Sequence, residues 1–210
     1  GAEPLLRTVE QGVMARAGKS PLAIRLYGGL ARLETEKGRP ERALHYARRD
    51  LAARIDQHGR DHGSVASGYN NLGYGLEAVG RFHEAIVAYQ QAVTLDARRR
   101  DPHSLKRAFP LGNLAQAEFN AGRLRAAREH FTEVLAVHAE VALEKPTRIL
   151  LGQQAMLGET EMARGDLAAA GRSVDRYLQL AQRTPPTDVD RATAARQAAK
   201  LAFEQGRVAA

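Results

Sequence analysis

Apolar residues recur every three or four positions through residues 65–92, and Gly80 divides this stretch near its middle. Such spacing places the apolar side chains on one face of an α-helix on each side of the glycine. The residues on these two faces are Tyr69, Leu72 and Leu76 before the glycine, and Ala85, Tyr89 and Ala92 after it. The stretch therefore predicts two short antiparallel helices that pack through these faces.

Small residues occupy the positions where the two predicted helices would cross. Helices approach closely only where small side chains meet and bulky ones fill the gaps beside them. We therefore expect Gly73, Ala85 and Ala92 at the crossing, with Tyr89 among the larger residues around it.

The same turn sequence returns along the chain at nearly constant spacing. Its glycines are Gly38, Gly80, Gly122, Gly165 and Gly206, so the intervals are 42, 42, 43 and 41 residues. A period in this range indicates a stacked array of helical repeats. In the first full repeat, Ala47 and Asp50 stand where the next repeat has Tyr89 and Ala92, which predicts less regular packing there.

The pattern predicts an all-α chain of about ten helices without strands. The first helix is expected over residues 4–17, and Ser20 is expected to cap the next one before Pro21. Pro110 lies inside a predicted helix, so that helix either starts late or is kinked, and we favour a kink or broken turn near Arg107.

We expect one repeat domain over residues 1–210. It would begin with a half repeat and end with a truncated one, which indicates a piece of a longer protein. The predicted units are 1–19, 20–61, 62–103, 104–145, 146–187 and 188–210.

The repeat resembles the tetratricopeptide repeat (TPR). The residues that carry the resemblance are Tyr69, Leu72-Gly73 and the series Ala85, Tyr89 and Ala92. The long period, the run Asn70-Asn71-Leu72-Gly73 and the loop Gly59-Arg60-Asp61-His62 are similar to the kinesin light chain type. The resemblance covers nearly the whole chain. It implies a TPR-type superhelical solenoid, right-handed, with a concave groove formed by the first helix of each pair.

Composition limits the remaining possibilities. The chain has no cysteine, which excludes disulfides and thiolate metal sites. No apolar run approaches the roughly 20 residues that span a bilayer, and the first residues of the sequence lack the long apolar core of a secretory signal. We therefore expect a cytoplasmic protein, and the richness in Ala, Arg and Gly suggests a bacterial source.

The net charge of +7 favours acidic partners, such as acidic peptides, nucleic acid or anionic surfaces. The alternative is that arginine only decorates the solvent faces of the helices. Both interpretations stay open from the sequence.

Candidate chemistry is sparse. His58 and His62 have a spacing that can bind a metal on a helix, but they flank Gly59 in a predicted loop and no third ligand follows. Nearby carboxylates such as Glu159 and Glu161 are two residues apart and point in different directions on a helix. The sequence predicts no enzyme activity, no cofactor and no metal site.

The concave face is the better candidate. Alignment on the turn glycines places one set of polar residues on this face. The predicted peptide-binding residues are Arg25, Arg32, Asn70, Asn71, Tyr74, Asn113, Gln116, Asn120, Arg196 and Lys200. Their counterparts in other repeats include Gly28, Gly29, Gly112, Ala155, Met156, Glu159 and Gln197.

Asparagine is a poor helix former, so its presence inside these predicted helices calls for an explanation. An amide offers both a donor and an acceptor, which matches a peptide unit. The alternative is that these amides bond to neighbouring helices or to water.

The leading functional hypothesis is a non-enzymatic module that binds a peptide or partner protein in its groove, as the docking or sensor part of a bacterial signalling protein. A second is nucleic-acid binding through basic runs such as Arg48-Arg49 and Arg98-Arg99-Arg100. A third is a structural scaffold that associates with itself. The partner is expected to have acidic character, and the oligomeric state is left open.

Overall fold

The computed structural model describes residues 21–98, 107–140, 147–183 and 188–206, together with Thr8 and Gly12. These residues form α-helices joined by short turns, with no strand among them. The helices are α1 (Pro21–Glu36), α2 (Pro40–His58), α3 (Gly63–Ala78), α4 (Phe82–Ala97), α5 (Ala108–Asn120), α6 (Leu124–Glu140), α7 (Arg148–Ala163), α8 (Leu167–Gln182) and α9 (Asp188–Glu204).

The described part of the chain thus contains nine helices, against the ten expected. Most of the predicted helix over residues 4–17 lies outside the described residues, although Thr8 and Gly12 are helical. The predicted Ser20 cap and residues 99–100 of the basic run lie outside them as well.

Each helical hairpin turns at a glycine in the left-handed backbone region. The five repeat glycines have φ between 66° and 78°, a conformation that costs little only without a Cβ. At the second turn, the Gly80 N–H donates to the Glu77 carbonyl and the Arg81 N–H to the Leu76 carbonyl, both at 2.9 Å. This pair of bonds is the Schellman arrangement, which satisfies the last carbonyls of a helix. Residues at the same distance from a turn glycine are therefore structurally equivalent in the different repeats.

Pro110 marks the start of a helix. Helix α5 begins at Ala108, so the proline lies in its first turn, where a missing N–H breaks no intrahelical bond. This start corresponds to the late start, and residues 101–106, which precede the expected kink or broken turn near Arg107, lie outside the described residues.

The chain divides into two compact units, unit 1 (Gly1–Arg100) and unit 2 (Asp101–Ala210). In unit 1, α1 packs on α2, α2 on α3 and α3 on α4. The hairpin of α3 and α4 crosses at Gly73, where an added Cβ would lie 2.6 Å from Cε1 of Tyr89. Tyr89, Ala85 and Ala92 have no exposed surface, as their places at the crossing require.

In unit 2, α5 to α9 pack in the same successive order, and α7 also contacts α5 and α9 directly. Its core includes Ala115, Ala127 and Phe131, all fully buried, and Leu157 from the next repeat. The equivalent hairpin of α7 and α8 buries Tyr177. The described hairpins of both units therefore bury most of the positions that the apolar pattern selected, while Tyr69 and Leu72 are half-buried.

Candidate functional site

The first helices of the two repeats in unit 1 hold five of the predicted site residues. On α1, Arg25 and Arg32 are both exposed, and on α3 Asn70 and Asn71 are half-buried. Tyr74 leaves 53% of its surface exposed, which is unusual for so large a ring. This aromatic surface is open to contact with a ligand.

A cleft of about 570 Å³ lies between α1 and α3. It brings together three predicted residues, Arg32, Asn71 and Tyr74, from two different repeats. Arg25 and Asn70 do not line it. The lining residues are Gly28, Ala31, Arg32, Thr35 and Glu36 of α1, Ala43 of α2, and Asn71 and Tyr74 of α3.

A buried ion pair lies beneath this cleft. The Asp50 carboxylate has no exposed surface, and both of its oxygens lie 2.9 Å from Nε of Arg54. The Asn71 amide donates to Oδ2 of Asp50 at 3.2 Å. Arg54 also donates to the Ser64 carbonyl at 3.1 Å. The network therefore ties α2 to α3 and holds a cleft residue by its side chain.

Sequence reasoning recognised Asp50 only as a departure from the repeat pattern. The signal that could have identified it was a carboxylate at a core position, with Arg54 one helical turn later. Buried carboxylates require such a partner.

The predicted amides of unit 2 lie on α5. Asn113 and Gln116 are half-buried and Asn120 is exposed. The Gln116 amide donates to Oδ1 of Asn120 at 3.2 Å, so these two side chains contact each other. Gly112, which was predicted to face the groove, instead lies against Gln153 of α7, whose Nε2 would be 2.7 Å from an added Cβ.

Phe109 is a candidate that sequence reasoning missed. It is 51% exposed and lies one turn before Asn113 on α5. It stands thirteen residues before Gly122, as Arg25 stands thirteen before Gly38. The register alone could therefore have placed it with the groove residues.

The predicted cations of α9 lie in a more crowded setting. Arg196 donates to Oε1 of Glu159 on α7 at 3.0 Å, and Lys200 is exposed. Gln197 was expected in the groove but is buried, with its amide donating to the Ala155 carbonyl at 2.7 Å. Ala155 is buried too. Both residues therefore take part in the packing of α9 against α7.

Glutamates reduce the positive character expected of the site. Arg32 lies 3.8 Å from Glu36 on the same helix, and Arg196 is paired with Glu159. Exposed pairs of this kind are weak, so a ligand carboxylate can compete for either arginine.

Buried glutamates recur four residues before the turn glycine. Glu34, Glu118 and Glu161 hold this position in three repeats, and Leu76 holds it in a fourth. Each carboxylate faces a cation, for example Glu118, whose Oε2 lies 2.7 Å from Nδ1 of His130. This hydrogen bond raises the pKa of His130, with burial acting against it. Burial lowers the pKa of His138.

The histidines near Gly59 belong to the turn between α2 and α3. The rings of His58 and His62 stack with centroids 4.4 Å apart, and Nδ1 of His62 accepts from the Ser64 N–H at the start of α3. Within the described residues there is no cluster of three or more potential metal ligands. None of the described helices has the length and apolarity to cross a membrane.

Comparisons with known proteins agree with this architecture. Residues 64–140 match the family model described as tetratricopeptide repeat. No curated protein matches the sequence significantly. The structure is similar to a kinesin light chain candidate from Podosopora anserina with nearly identical TPR-like repeats. That match has a TM-score of 0.78 and 21% identity, and it covers 90% of this chain and 89% of the other.

Two further solved structures share the fold. BtubC (BKLC) from P. vanneervenii gives a TM-score of 0.75 at 22% identity, over 89% of this chain and 75% of the other. The apo form of RapI gives 0.75 at 12% identity, over 98% of this chain and 69% of the other.

Residues 64–140 thus match the tetratricopeptide repeat, and the fold of the described residues is similar to that of kinesin light chain-like repeats, as the repeat pattern predicted. Arrays of this class are in general non-enzymatic scaffolds that bind proteins or peptides on the surface formed by stacked helices.

Proposed function

We propose that this chain is a protein-interaction module and that the cleft between α1 and α3 binds an extended peptide. The observation that carries the proposal is the meeting of Arg32, Asn71 and Tyr74 on one cleft of about 570 Å³. These residues come from different repeats, and the repeat register alone had selected them.

The cleft offers three kinds of contact that suit a peptide. The exposed ring of Tyr74 can pack against an apolar side chain, and the small residues Ala31 and Gly28 leave room for it. The Asn71 carbonyl oxygen can accept from a backbone N–H. Arg32 can bind a carboxylate in place of Glu36. The proposed ligand is therefore an extended peptide with an acidic residue next to an apolar one.

In unit 2 the first helices of the repeats leave less room for a ligand between them. Gln153 fills the space against Gly112, and Gln197 bridges to Ala155. Two further contact regions are proposed there, one on α5 and one on α9. Their residues are Phe109, Asn113, Gln116 and Asn120 on α5, and Arg196 and Lys200 on α9. The cleft of unit 1 is the principal site in this proposal.

The biological setting is proposed by analogy with the scaffold class alone. In that setting the array is the docking or sensor part of a bacterial signalling protein, and it acts in the cytoplasm.

The test is selection of random peptides by phage display on the whole chain, followed by affinity measurement with synthetic peptides. Tyr74→Ala and Asn71→Ala should each weaken binding by about tenfold or more, because each removes a direct contact. Arg32→Ala should weaken acidic peptides selectively. The matched control is Gln91→Ala, an exposed change on α4 that should leave affinity unchanged.

Failure to select any peptide, or selected peptides that bind the native chain and the cleft variants equally, would refute the cleft as the site. An Asn71→Ala, Asn113→Ala double variant with native helicity and unaltered affinity would refute the role of the amides. Tight RNA or DNA binding that falls steeply with salt would instead favour the nucleic-acid alternative.

A further inference from the structure

One core position differs in kind between the repeats. The residue twelve positions after the turn glycine is buried in each of four repeats. These residues are Asp50, Ala92, Val134 and Tyr177, with exposed fractions of 0%, 0%, 0% and 2%. Only Asp50 in this set carries a charge. A buried carboxylate costs free energy unless its partners offset that cost, so its presence here needs a function or a compensating network.

The network around Asp50 has a defined hydrogen-bond direction. Arg54 has donors only, so the carboxylate must accept from it. The Asp50 carboxylate also accepts a hydrogen bond from the Asn71 side chain. The Asn71 side chain must therefore point its NH₂ group at Asp50, and its carbonyl oxygen lies at the opposite branch of the same amide. Arg54 is itself held by the Ser64 carbonyl, which limits rotation of the whole arrangement.

We propose that Asp50 is a positioning residue that fixes the orientation of the Asn71 amide, so that the cleft presents a hydrogen-bond acceptor. The ligand group at this point is then an N–H donor, such as a backbone amide. The preference for a donor rests on the proposed peptide-binding function, whereas the orientation of Asn71 does not.

Substitution Asp50→Ala provides a sharp test, because alanine stands at this position in the next repeat and carries no side-chain hydrogen-bond acceptor. The Asn71 NH₂ group then loses its acceptor on α2, and the amide is free to rotate.

The first measurement is NMR on isotope-labelled whole chain without ligand. In the native protein the NH₂ protons of Asn71 should exchange with solvent at least about tenfold more slowly than those of a free asparagine side chain. In Asp50→Ala this protection should be lost, because the acceptor for the NH₂ group is gone. Asn113 is the matched control. It stands at the Asn71 register one repeat later, where the core position is Ala92, and its NH₂ exchange should not change.

Two results would overturn the positioning role. One is fast exchange of the Asn71 NH₂ group in the native protein. The other is slow exchange that persists in a folded Asp50→Ala variant. The native measurement decides the question alone if the variant does not fold.

The second measurement uses the peptides selected on the native chain and versions methylated at single backbone nitrogens. Methylation at one position should weaken binding to the native chain by about tenfold or more, because it removes the donor. The same methylation should weaken binding to Asp50→Ala less, because the Asn71 amide is no longer fixed with its oxygen toward the ligand. Equal losses in both proteins would refute the donor preference. Absence of any selected peptide would refute the proposed function while the NMR result still decides the orientation of Asn71.

Discussion

At the residue scale, Gly73 shows how closely the helices of one hairpin approach. A Cβ at this position would lie 2.6 to 2.9 Å from three ring atoms of Tyr89. That ring cannot easily move, because Tyr89 is fully buried and its hydroxyl donates to Oε2 of Glu77 at 3.1 Å. Burial of the hydroxyl also raises the pKa of Tyr89. The absence of a side chain at Gly73 is thus a packing requirement.

We predict that Gly73→Ala destabilises the protein by about 1–3 kcal/mol through overpacking. The matched control is Gly29→Ala on α1, where an added Cβ meets no atom within 4 Å. Alanine favours the helix over glycine by up to about 1 kcal/mol, so Gly29→Ala should be neutral or stabilising. Urea denaturation of both variants checks this. Equal stability of the two would show that Gly73 does not lie at a close crossing.

At the element scale, buried ion pairs join the helices of a hairpin. His130 on α6 pairs with the buried Glu118 on α5, and Glu129 and Glu133 also favour its charged form. A raised pKa means that the folded state binds the proton more tightly than the unfolded state. The stabilisation is therefore complete below the unfolded pKa of about 6.5 and is lost as pH rises through the folded value.

We predict that His130→Gln destabilises the protein by about 1 kcal/mol at a pH of about 5.5 and by less at a pH of about 9. Glu118→Gln should remove the same pH dependence of stability. The His130→Gln, Glu118→Gln double variant should show no further loss of that pH dependence. Urea midpoints across pH test this. A destabilisation that is constant with pH, or that grows above neutrality, would contradict the pairing. His138 has the opposite effect. Because burial lowers its pKa, protonation of His138 at low pH destabilises the folded state.

The turns and crossings were predictable from sequence because they depend on local chemistry. A glycine in the left-handed region and small residues at a crossing leave a periodic trace in the chain. The Asp50 network was not predictable, because Asn71 lies 21 residues away on a different helix. The burial of Gln197 and Ala155 was missed for a similar reason. Register shows which face a residue occupies, but the distance between neighbouring helices decides whether that face is open.

At the scale of the whole molecule, each helix contacts mainly its neighbours in the chain, and the chain divides into two compact units. Stability in such arrays is close to a sum of local terms. Damage in one unit should therefore spread little into the other.

We predict that Gly73→Ala accelerates backbone hydrogen exchange in α3 and α4 but leaves residues 107–206 nearly as protected as in the native chain. Mass spectrometry of peptic fragments after deuterium labelling provides the measurement. Gly29→Ala serves again as the control. Uniform acceleration across both units would mean that the array unfolds as one cooperative body.

The carboxylate of Asp50 also makes the order of the repeats matter. Its partners are Arg54 from its own hairpin and Asn71 from the hairpin that follows. At the Asn71 register, the fourth repeat has Met156, whose thioether cannot donate a hydrogen bond. In a shuffled chain with the first repeat directly before the fourth, Asp50 would lose one of its hydrogen-bond donors. These hairpins therefore cannot be exchanged freely.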